Sequence, residues 1–261
     1  MTTAVSMREQ VLVMMWRSIS QTVRQPAMII PPIVFPLILV AINIGGLDAA
    51  TKLPGFPADS YLDFAIAVPF MQGALFASIN AGSSLARDVS TGFLQRLALT
   101  PMVRTALLLG ALGGVMTVAL LGALIYLAFG FAAGLGVKAG VGGVLVIVVL
   151  GLLIALGFAG LGAFIGLRTG SAEAVQGVFP MFFVFLFLSS VNLPRELISV
   201  DWFRTIATYN PVSYLVEGVR SPILFGWDGE ALAKGFGFAI LLSAITVALS
   251  ARALRTQLVR T

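Results

Sequence analysis

Residues 139–167 read AGVGGVLVIVVLGLLIALGFAGLGAFIGL, a run without a single charged side chain. A helix needs about 20 consecutive apolar residues to cross the hydrocarbon core of a bilayer, and charged groups in that core are costly. Uncharged runs of similar character occupy residues 25–47, 64–86, 105–137, 174–194 and 235–251. The sequence therefore predicts an all-α membrane protein with six transmembrane helices.

The limits of the spans follow from the charges that flank them. Lys138 separates two long runs and is expected in the loop of a tight hairpin, while Lys234 is expected to reach from the last span to the membrane surface. We predict a single transmembrane domain over residues 1–261, with spans at 27–47, 61–85, 105–133, 141–167, 174–192 and 232–252. Glycine pairs four residues apart predict close packing of these helices within one subunit; they stand at 110 and 114, 130 and 134, and 162 and 166.

The composition argues against catalysis by this chain. Hydrophobic residues make up 59% of it and charged residues only 10%, against about 25% charged in an average soluble domain. It contains no cysteine and no histidine, so thiolate chemistry and the commonest acid–base and metal-binding side chain are missing. We predict no catalytic residue, no metal site and no cofactor bound by this chain.

The basic residues predict the orientation, because loops rich in lysine and arginine stay in the cytoplasm. If the N-terminus is cytoplasmic, ten of the sixteen basic residues are cytoplasmic too, namely Arg8, Arg17, Arg24, Arg87, Arg96, Arg104, Arg168, Arg252, Arg255 and Arg260. Both termini are then predicted in the cytoplasm, and the first apolar run is expected to remain as a span because no convincing signal-peptide cleavage site accompanies it.

The segment before the first span has a helical pattern of its own. Over residues 5–24 the apolar side chains include Trp16, and a polar face is expected to carry Gln10, Arg17 and Arg24. This predicts a helix lying in the membrane interface, with its arginines toward anionic lipid head groups or a cytosolic partner. A plain positive flank that sets the topology is the alternative interpretation. Prolines 31, 32 and 36 in the first span remove backbone donors that neighbouring groups must replace.

Function is expected to concentrate in the two longer connecting segments. The cytoplasmic one, residues 87–103, reads RDVSTGFLQRLALTPMV, in which Ser90 or Thr91 is predicted to cap a short helix and Pro101 to end it. Such a helix outside the bilayer can dock a partner, or it can simply connect two spans. The external one covers residues 194–230.

The cytoplasmic loop resembles the coupling loop of ATP-binding-cassette type 2 permeases. The resemblance rests on an acidic residue, a glycine and a closing proline, here Asp88, Gly92 and Pro101. The external segment is similar to that of the same family through Pro194, Trp202, Asn210, Pro211 and Arg220. The stretch from Gly92 to Arg96 most resembles the daunorubicin-resistance branch.

The resemblance implies the type 2 exporter fold, with an interfacial helix, a coupling helix and an external segment that re-enters the outer leaflet. Because the chain lacks the phosphate loop G-x-x-x-x-G-K-[ST], ATP and Mg would be held by a separate cytosolic ATP-binding subunit. A second permease subunit, a copy or a paralogue, would complete the complex in the cytoplasmic membrane. Coupling to the ATPase is predicted for Asp88, Gly92, Phe93, Arg96, Leu97 and Pro101, with Phe93 and Leu97 as apolar anchors.

The resemblance predicts export of hydrophobic or amphipathic compounds, such as drugs, antibiotics or lipid-like molecules. Export of polysaccharide or lipid-linked glycan is the alternative, and an ion-coupled transporter or a membrane-embedded enzyme is more remote. Polar residues in or near the spans are candidates for the pathway, although ordinary interhelical hydrogen bonds would also account for them; they are Asn43, Gln72, Asn80 and Asn192.

Overall fold

The computed structural model describes residues 6–99 and 102–259, and within these ranges the chain consists of helices and connecting turns without a β-strand. The α-helices are α1 (Met7–Val23), α2 (Ile30–Leu47), α3 (Tyr61–Ala65), α4 (Val68–Ser90), α5 (Phe93–Ala98), α6 (Arg104–Ala132), α7 (Gly140–Thr169), α8 (Ala172–Gly177), α9 (Phe179–Phe187), α10 (Asp201–Tyr209), α11 (Pro211–Leu224) and α12 (Gly229–Val259). Short 3-10 helices occupy Pro26–Met28, Asp48–Lys52 and Arg195–Leu197.

In the described part of the chain, five helical segments are long and apolar enough to cross a membrane. They are Ile30–Lys52, Tyr61–Ser90, Thr105–Ala132, Gly140–Thr169 and Gly229–Gln257, which correspond to the first four predicted spans and the last. The predicted fifth span at 174–192 is instead the pair α8 and α9. At about 1.5 Å per residue this pair covers roughly 24 Å, less than the hydrocarbon core of about 30 Å.

The bundle centre is the contact between α4 and α7, where glycine lets the two backbones touch. A Cβ atom on Gly162 would overlap the carbonyl oxygen of Ser78, and one on Gly166 would overlap that of Gly82. In lipid, where apolar tails compete equally for apolar side chains, such close backbone contact drives helix association. The predicted close packing at 162 and 166 is confirmed.

Hydroxyl groups fasten α12 to the opposite side of α7. The side chains of Ser243, Thr246 and Ser250 donate to the carbonyl oxygens of Leu153 at 2.8 Å, Gly157 at 2.9 Å and Gly160 at 2.6 Å, respectively. Their spacing places all three on one face of α12. Helix α7 is therefore held between α4 and α12.

The prolines of α2 are compensated from neighbouring helices. Pro32 has no N–H for the carbonyl of Met28, and the amide Nδ2 of Asn80 donates to that oxygen instead at 3.0 Å. Pro36 likewise leaves the carbonyl of Pro32 unpaired in the helix, and this oxygen accepts a hydrogen bond from the hydroxyl of Tyr126. The predicted need for replacement donors is confirmed, since an unpaired carbonyl in hydrocarbon costs several kcal/mol.

Helix α1 lies along α6 through a second glycine contact. Cβ atoms on Gly110 and Gly114 would overlap Met14 and Ser18, which confirms close packing at this pair. Gln10 strengthens the contact, because its Oε1 accepts a hydrogen bond from the backbone N–H of Val103 at 2.8 Å. The third predicted pair is only half confirmed. A Cβ atom on Gly130 would lie 2.9 Å from Leu135 and 3.3 Å from Ile66, whereas no described residue lies within 4 Å of the Cβ position of Gly134, which has a φ of +96° and follows the end of α6.

Substituting the central glycine tests this packing. We expect Gly162→Ala to lower the melting temperature of the purified protein, because overpacking of a tight contact costs about 1–3 kcal/mol. Gly237→Ala is the matched control, since nothing lies within 4 Å of its Cβ position in α12 and alanine favours a helix over glycine. Equal melting temperatures for the two variants in the same lipid nanodiscs would contradict the α4–α7 contact.

Candidate functional site

One arginine side chain joins three helices at one end of the bundle. The two guanidinium NH₂ groups of Arg17 on α1 donate to both carboxylate oxygens of Asp88 near the end of α4, at 2.7 and 3.1 Å. The same guanidinium lies over the ring of Phe93 on α5, with its Cζ atom 3.9 Å from the ring centroid. Arg17 therefore links α1, α4 and α5.

This junction is shielded enough for its geometry to matter. The side chain of Asp88 is 11% exposed and that of Arg17 is 30% exposed. A bidentate arginine–carboxylate pair has a fixed orientation and a stronger attraction than a single hydrogen bond between neutral groups, and a cation over an aromatic face adds to it. The carboxylate of Asp88 is thus already occupied within its own chain.

Gly92 makes the turn that places Phe93 beneath Arg17. Its φ of +67° lies in the left-handed region, which glycine adopts without a steric penalty, and it is the residue before the first turn of α5. The predicted cap by Ser90 or Thr91 is wrong. Both hydroxyls instead donate back to the carbonyl of Arg87, at 3.2 and 2.7 Å, because α4 continues through residue 90.

The two sides of α5 differ in exposure. Leu94 is buried, and Phe93 and Leu97 are partly buried against the core. Gln95 and Arg96 are exposed, as is Leu99 just after the helix, with 89% of its surface accessible. Phe93 and Leu97, predicted as anchors for a partner, therefore pack largely inward, and the predicted Pro101 lies outside the described residues.

Leu99 is the apolar side chain that the sequence analysis overlooked. Its position four residues after Gln95 and three after Arg96, on the same side of the helical turn as these exposed polar residues, would have been a usable signal. The sequence analysis instead took the apolar Phe93 and Leu97 as the side that faces a partner.

Helix α1 has the exposed apolar side that was predicted, but its polar residues do not share one exposed face. Trp16 is 70% exposed, and Leu12 and Val23 are exposed on the same helix. Gln10, expected beside Arg17, is buried instead, because α6 packs against that side of α1. Trp16 thus faces outward, Gln10 faces α6 and Arg17 faces Asp88. Arg24 is the C-terminal cap of α1, and its side chain is exposed.

The basic segments predicted as cytoplasmic gather at this same end. The turn after α7 lies against the end of α4, since a Cβ on Gly170 would lie 3.2 Å from Val89. The end of α12 lies against α7, where Gln257 Nε2 donates to the carbonyl of Leu167 at 2.6 Å. Arg168, Arg252 and Arg255 are exposed nearby on these two helices.

A polar network occupies the opposite end of the bundle. The guanidinium of Arg195 binds both carboxylate oxygens of Glu217 and lies over the ring of Tyr214 at 4.4 Å. Glu217 also accepts from the hydroxyl of Ser190 at 2.7 Å. Burial lowers the pKa of the Arg195 guanidinium, but the hydrogen bonds and negative charge of Glu217 outweigh it and raise the pKa above its ordinary value. This network fastens the segment after α9 to α11.

Arg220 is the buried centre of this end. It is 4% exposed and donates through Nε to the carbonyl of Phe64 at 2.9 Å and through its two NH₂ groups to those of Ser190 at 3.1 Å and Val191 at 3.0 Å. Its Cζ lies 3.4 Å from the ring centroid of Phe64. Arg220 thereby joins α11 to α3 and to the turn that follows α9.

Asn210 explains why α9 ends so early. Its amide Nδ2 donates to the carbonyls of Phe185 at 2.7 Å and Leu188 at 3.0 Å, which belong to the last turn of α9 and the residue after it. Its Oδ1 accepts from the N–H of Val212 and so caps the start of α11, where Pro211 is the first residue. Helix ends inside a membrane need such partners for their free backbone groups.

The remaining residues of the predicted external segment lie in and near α10. Trp202 is 62% exposed, and Ile206 and Tyr209 lie on the same side of the helix and are also exposed. Tryptophan and tyrosine favour the membrane–water interface, so this face suits a helix lying along the membrane surface. Pro194 precedes the short 3-10 helix Arg195–Leu197.

The candidate pathway residues are scattered. Asn80 pairs with Met28 as described, and the backbone carbonyl of Asn192 accepts from Tyr61 at 3.0 Å in the turn after α9. Gln72 is 2% exposed on α4 with an Oε1 that has no hydrogen-bond partner in the described part of the chain, and Asn43 is partly buried on α2. The structure assigns an interhelical hydrogen bond to Asn80; a pathway role for the four stays a prediction.

A double-mutant cycle measures the interaction energy between Arg17 and Asp88. We expect Arg17→Gln and Asp88→Asn to show a coupling energy of about 1–2 kcal/mol in the free energy of unfolding, since residues in one ion pair interact by roughly 0.5–3 kcal/mol. Arg24→Gln combined with Asp88→Asn is the control and should be additive, because no hydrogen bond or ion pair joins Arg24 to Asp88 among the described residues. Additivity in both cycles would contradict the ion pair.

The network at the opposite end of the bundle is tested at Arg220. Arg220→Lys should lower the melting temperature, because a lysine cannot reach three carbonyls on two elements, and each buried group left unpaired costs about 1–3 kcal/mol. Arg204→Lys is the control, since among the residues that the structure describes the guanidinium of Arg204 pairs only with the exposed Asp201 on the same helix. If both substitutions leave the melting temperature unchanged, Arg220 does not hold this end of the bundle together.

One comparison with known proteins identifies a family. The family model described as ABC-2 type transporter matches residues 9–224, a region that contains most of α1, all of α5 and the polar network around Arg195 and Arg220. A comparison with curated proteins finds no match.

Proposed function

Because the chain belongs to the ABC-2 type transporter family, we propose that it is the membrane-spanning permease subunit of an ATP-binding-cassette exporter. It is a multi-pass membrane protein by its long apolar helices. The observation that carries the proposal is the junction of Arg17, Asp88 and Phe93, which ties a short exposed helix to the membrane bundle. Within the family, Gly92, Phe93 and Arg96 favour the daunorubicin-resistance branch.

The proposed topology has six passes with both termini in the cytoplasm. The arginine-rich end that holds α1, α5 and the end of α12 is then cytoplasmic, as the positive-inside rule requires. The pair α8 and α9 makes the fifth pass, which is short because Asn210 and Arg220 bind the backbone where it turns. The segment from 194 to 224 then folds back into the outer leaflet as a re-entrant element, and buried Arg220 supports this.

In this proposal a separate cytosolic subunit binds ATP and Mg, and its motion reaches the permease through α5. The exposed side of α5, with Gln95 and Leu99, is the docking surface, and Arg96 lies beside it. The inner side carries Phe93 and is held by Arg17, and α1 is packed on α6 by the glycine contact at 110 and 114. A push on α5 is therefore carried to α1 and α6 through side chains in direct contact.

Hydrophobic or amphipathic cargo is favoured by an apolar groove near the middle of the predicted spans. The groove has a volume of about 370 Å³ and lies between α7, α9, α11 and α12, within the range of roughly 300–1,000 Å³ typical of small-molecule sites. Phe158, Phe182, Phe185 and Phe238 line it together with Asn210. An apolar site with few polar groups suits a drug-like or lipid-like compound. A second permease subunit, a copy or a paralogue, completes the transporter in this proposal.

Two variants near α5 separate binding of the ATPase subunit from the transmission of its motion to the membrane helices. Leu99→Asp should weaken binding of the ATPase subunit about tenfold, since a central apolar contact in an interface is often worth more than about 1 kcal/mol. Phe93→Ala should leave that binding nearly intact and lower substrate-stimulated ATP hydrolysis, because it removes the ring beneath Arg17. Both quantities are measured on the complex purified with its native ATPase.

Leu53→Asp is the matched control, an exposed leucine on the predicted external side. It should leave both binding and ATP hydrolysis unchanged. If Leu99→Asp binds the ATPase subunit as well as Leu53→Asp does, and Phe93→Ala hydrolyses ATP normally, α5 is not the coupling helix.

A further inference from the structure

A polar cavity of about 440 Å³ lies between α1, α4 and α5. Three guanidinium groups line it, those of Arg17, Arg87 and Arg96, together with one carboxylate, that of Asp88. Since Asp88 is bound by Arg17, the cavity keeps two uncompensated positive charges. No ion pair involves Arg87 or Arg96 within residues 6–99 and 102–259, and both side chains are exposed.

The rest of the lining is amphipathic. Gln21, Gln25 and Ser84 add side-chain groups that donate hydrogen bonds, while Met28 and Val115 supply an apolar end toward the spans. Arginine binds phosphate oxygens in a bidentate manner, and this is a main reason why clusters of arginine recognise phosphate. Two free arginines beside amide and hydroxyl donors therefore suit an anion carried on an apolar tail.

We propose that this cavity binds the phosphate head group of an amphiphile. Arg87 and Arg96 contact the phosphate, and Met28 and Val115 contact the start of the apolar portion. The site lies directly beside the ion pair of Arg17 and Asp88, so an occupant would touch the same residues that join α1 to α5. The inference rests on the proposed function in one respect, because that function places this end of the bundle at the level of the cytoplasmic lipid head groups.

The test is lipid binding to the purified, delipidated chain, measured by native mass spectrometry. The probe is dioleoyl phosphatidylglycerol, compared with dioleoylglycerol, which has the same chains without the phosphate. We expect phosphatidylglycerol to bind more tightly and Arg87→Gln to weaken it about fivefold, the effect of roughly one arginine near a charged head group. The loss should shrink as salt is added.

Arg168→Gln is the matched control, an exposed arginine on the same end of the bundle that does not line the cavity. It should bind phosphatidylglycerol as the unmodified chain does. Equal weakening by Arg168→Gln and Arg87→Gln, or equal affinity for the two lipids, would overturn the proposal, because general surface charge or apolar contact would then explain the binding.

The source of the phosphate is decided on the complex with its native ATPase in vesicles that contain fluorescent phosphatidylglycerol. Movement between leaflets that requires ATP and is lost in Arg87→Gln identifies a transported amphiphile, whereas binding without movement identifies a resident membrane lipid. Either result supports the site. Lipid binding is measured without the ATPase. A finding that α5 does not couple to the ATPase would therefore overturn the proposed function and leave this measurement unaffected.

Discussion

The constraint on which this structure depends is that every backbone polar group in the hydrocarbon must find a partner inside the protein. Where the chain interrupts helical hydrogen bonding in α2 and after α9, a side chain from another element supplies that partner. Asn80 and Tyr126 bind the carbonyls that the prolines of α2 leave free, and Asn210 and Arg220 bind those at and just beyond the end of α9. These four side chains allow irregular backbone and also fix which helices are neighbours.

Glycine decides how closely the neighbours approach. The contact of α4 with α7 and that of α1 with α6 both place backbone where a Cβ would overlap it, and the hydroxyls of α12 complete the set by binding carbonyls of α7. Since apolar side chains gain little by leaving lipid for protein, such close contacts and interhelical hydrogen bonds contribute much of the association energy. A rigid bundle of this kind can pass a displacement from one end to the other.

The two ends of the bundle use arginine differently. At the end that holds α10 and α11, Arg220 is buried against three carbonyls and Arg195 is paired with Glu217, so their charges are occupied in holding together the segment that follows α9. At the other end Arg17 is paired, but Arg87 and Arg96 remain exposed beside a cavity. In the proposed function this difference separates a fixed outer end from an inner end that meets the ATPase, the membrane surface and a phosphate-bearing amphiphile.

The sequence by itself determined the membrane class, the long spans, the glycine contacts at 110, 114, 162 and 166, and the family resemblance, because hydropathy and small-residue spacing are local properties of the chain. Only the tertiary structure decided that Asp88 is occupied by Arg17, that Phe93 faces inward and Leu99 outward, and that α9 ends at Phe187. The reason is physical: these facts depend on side chains distant in sequence, such as Arg17 for residue 88 and Asn210 for residue 185. No pattern along a single segment contains that pairing.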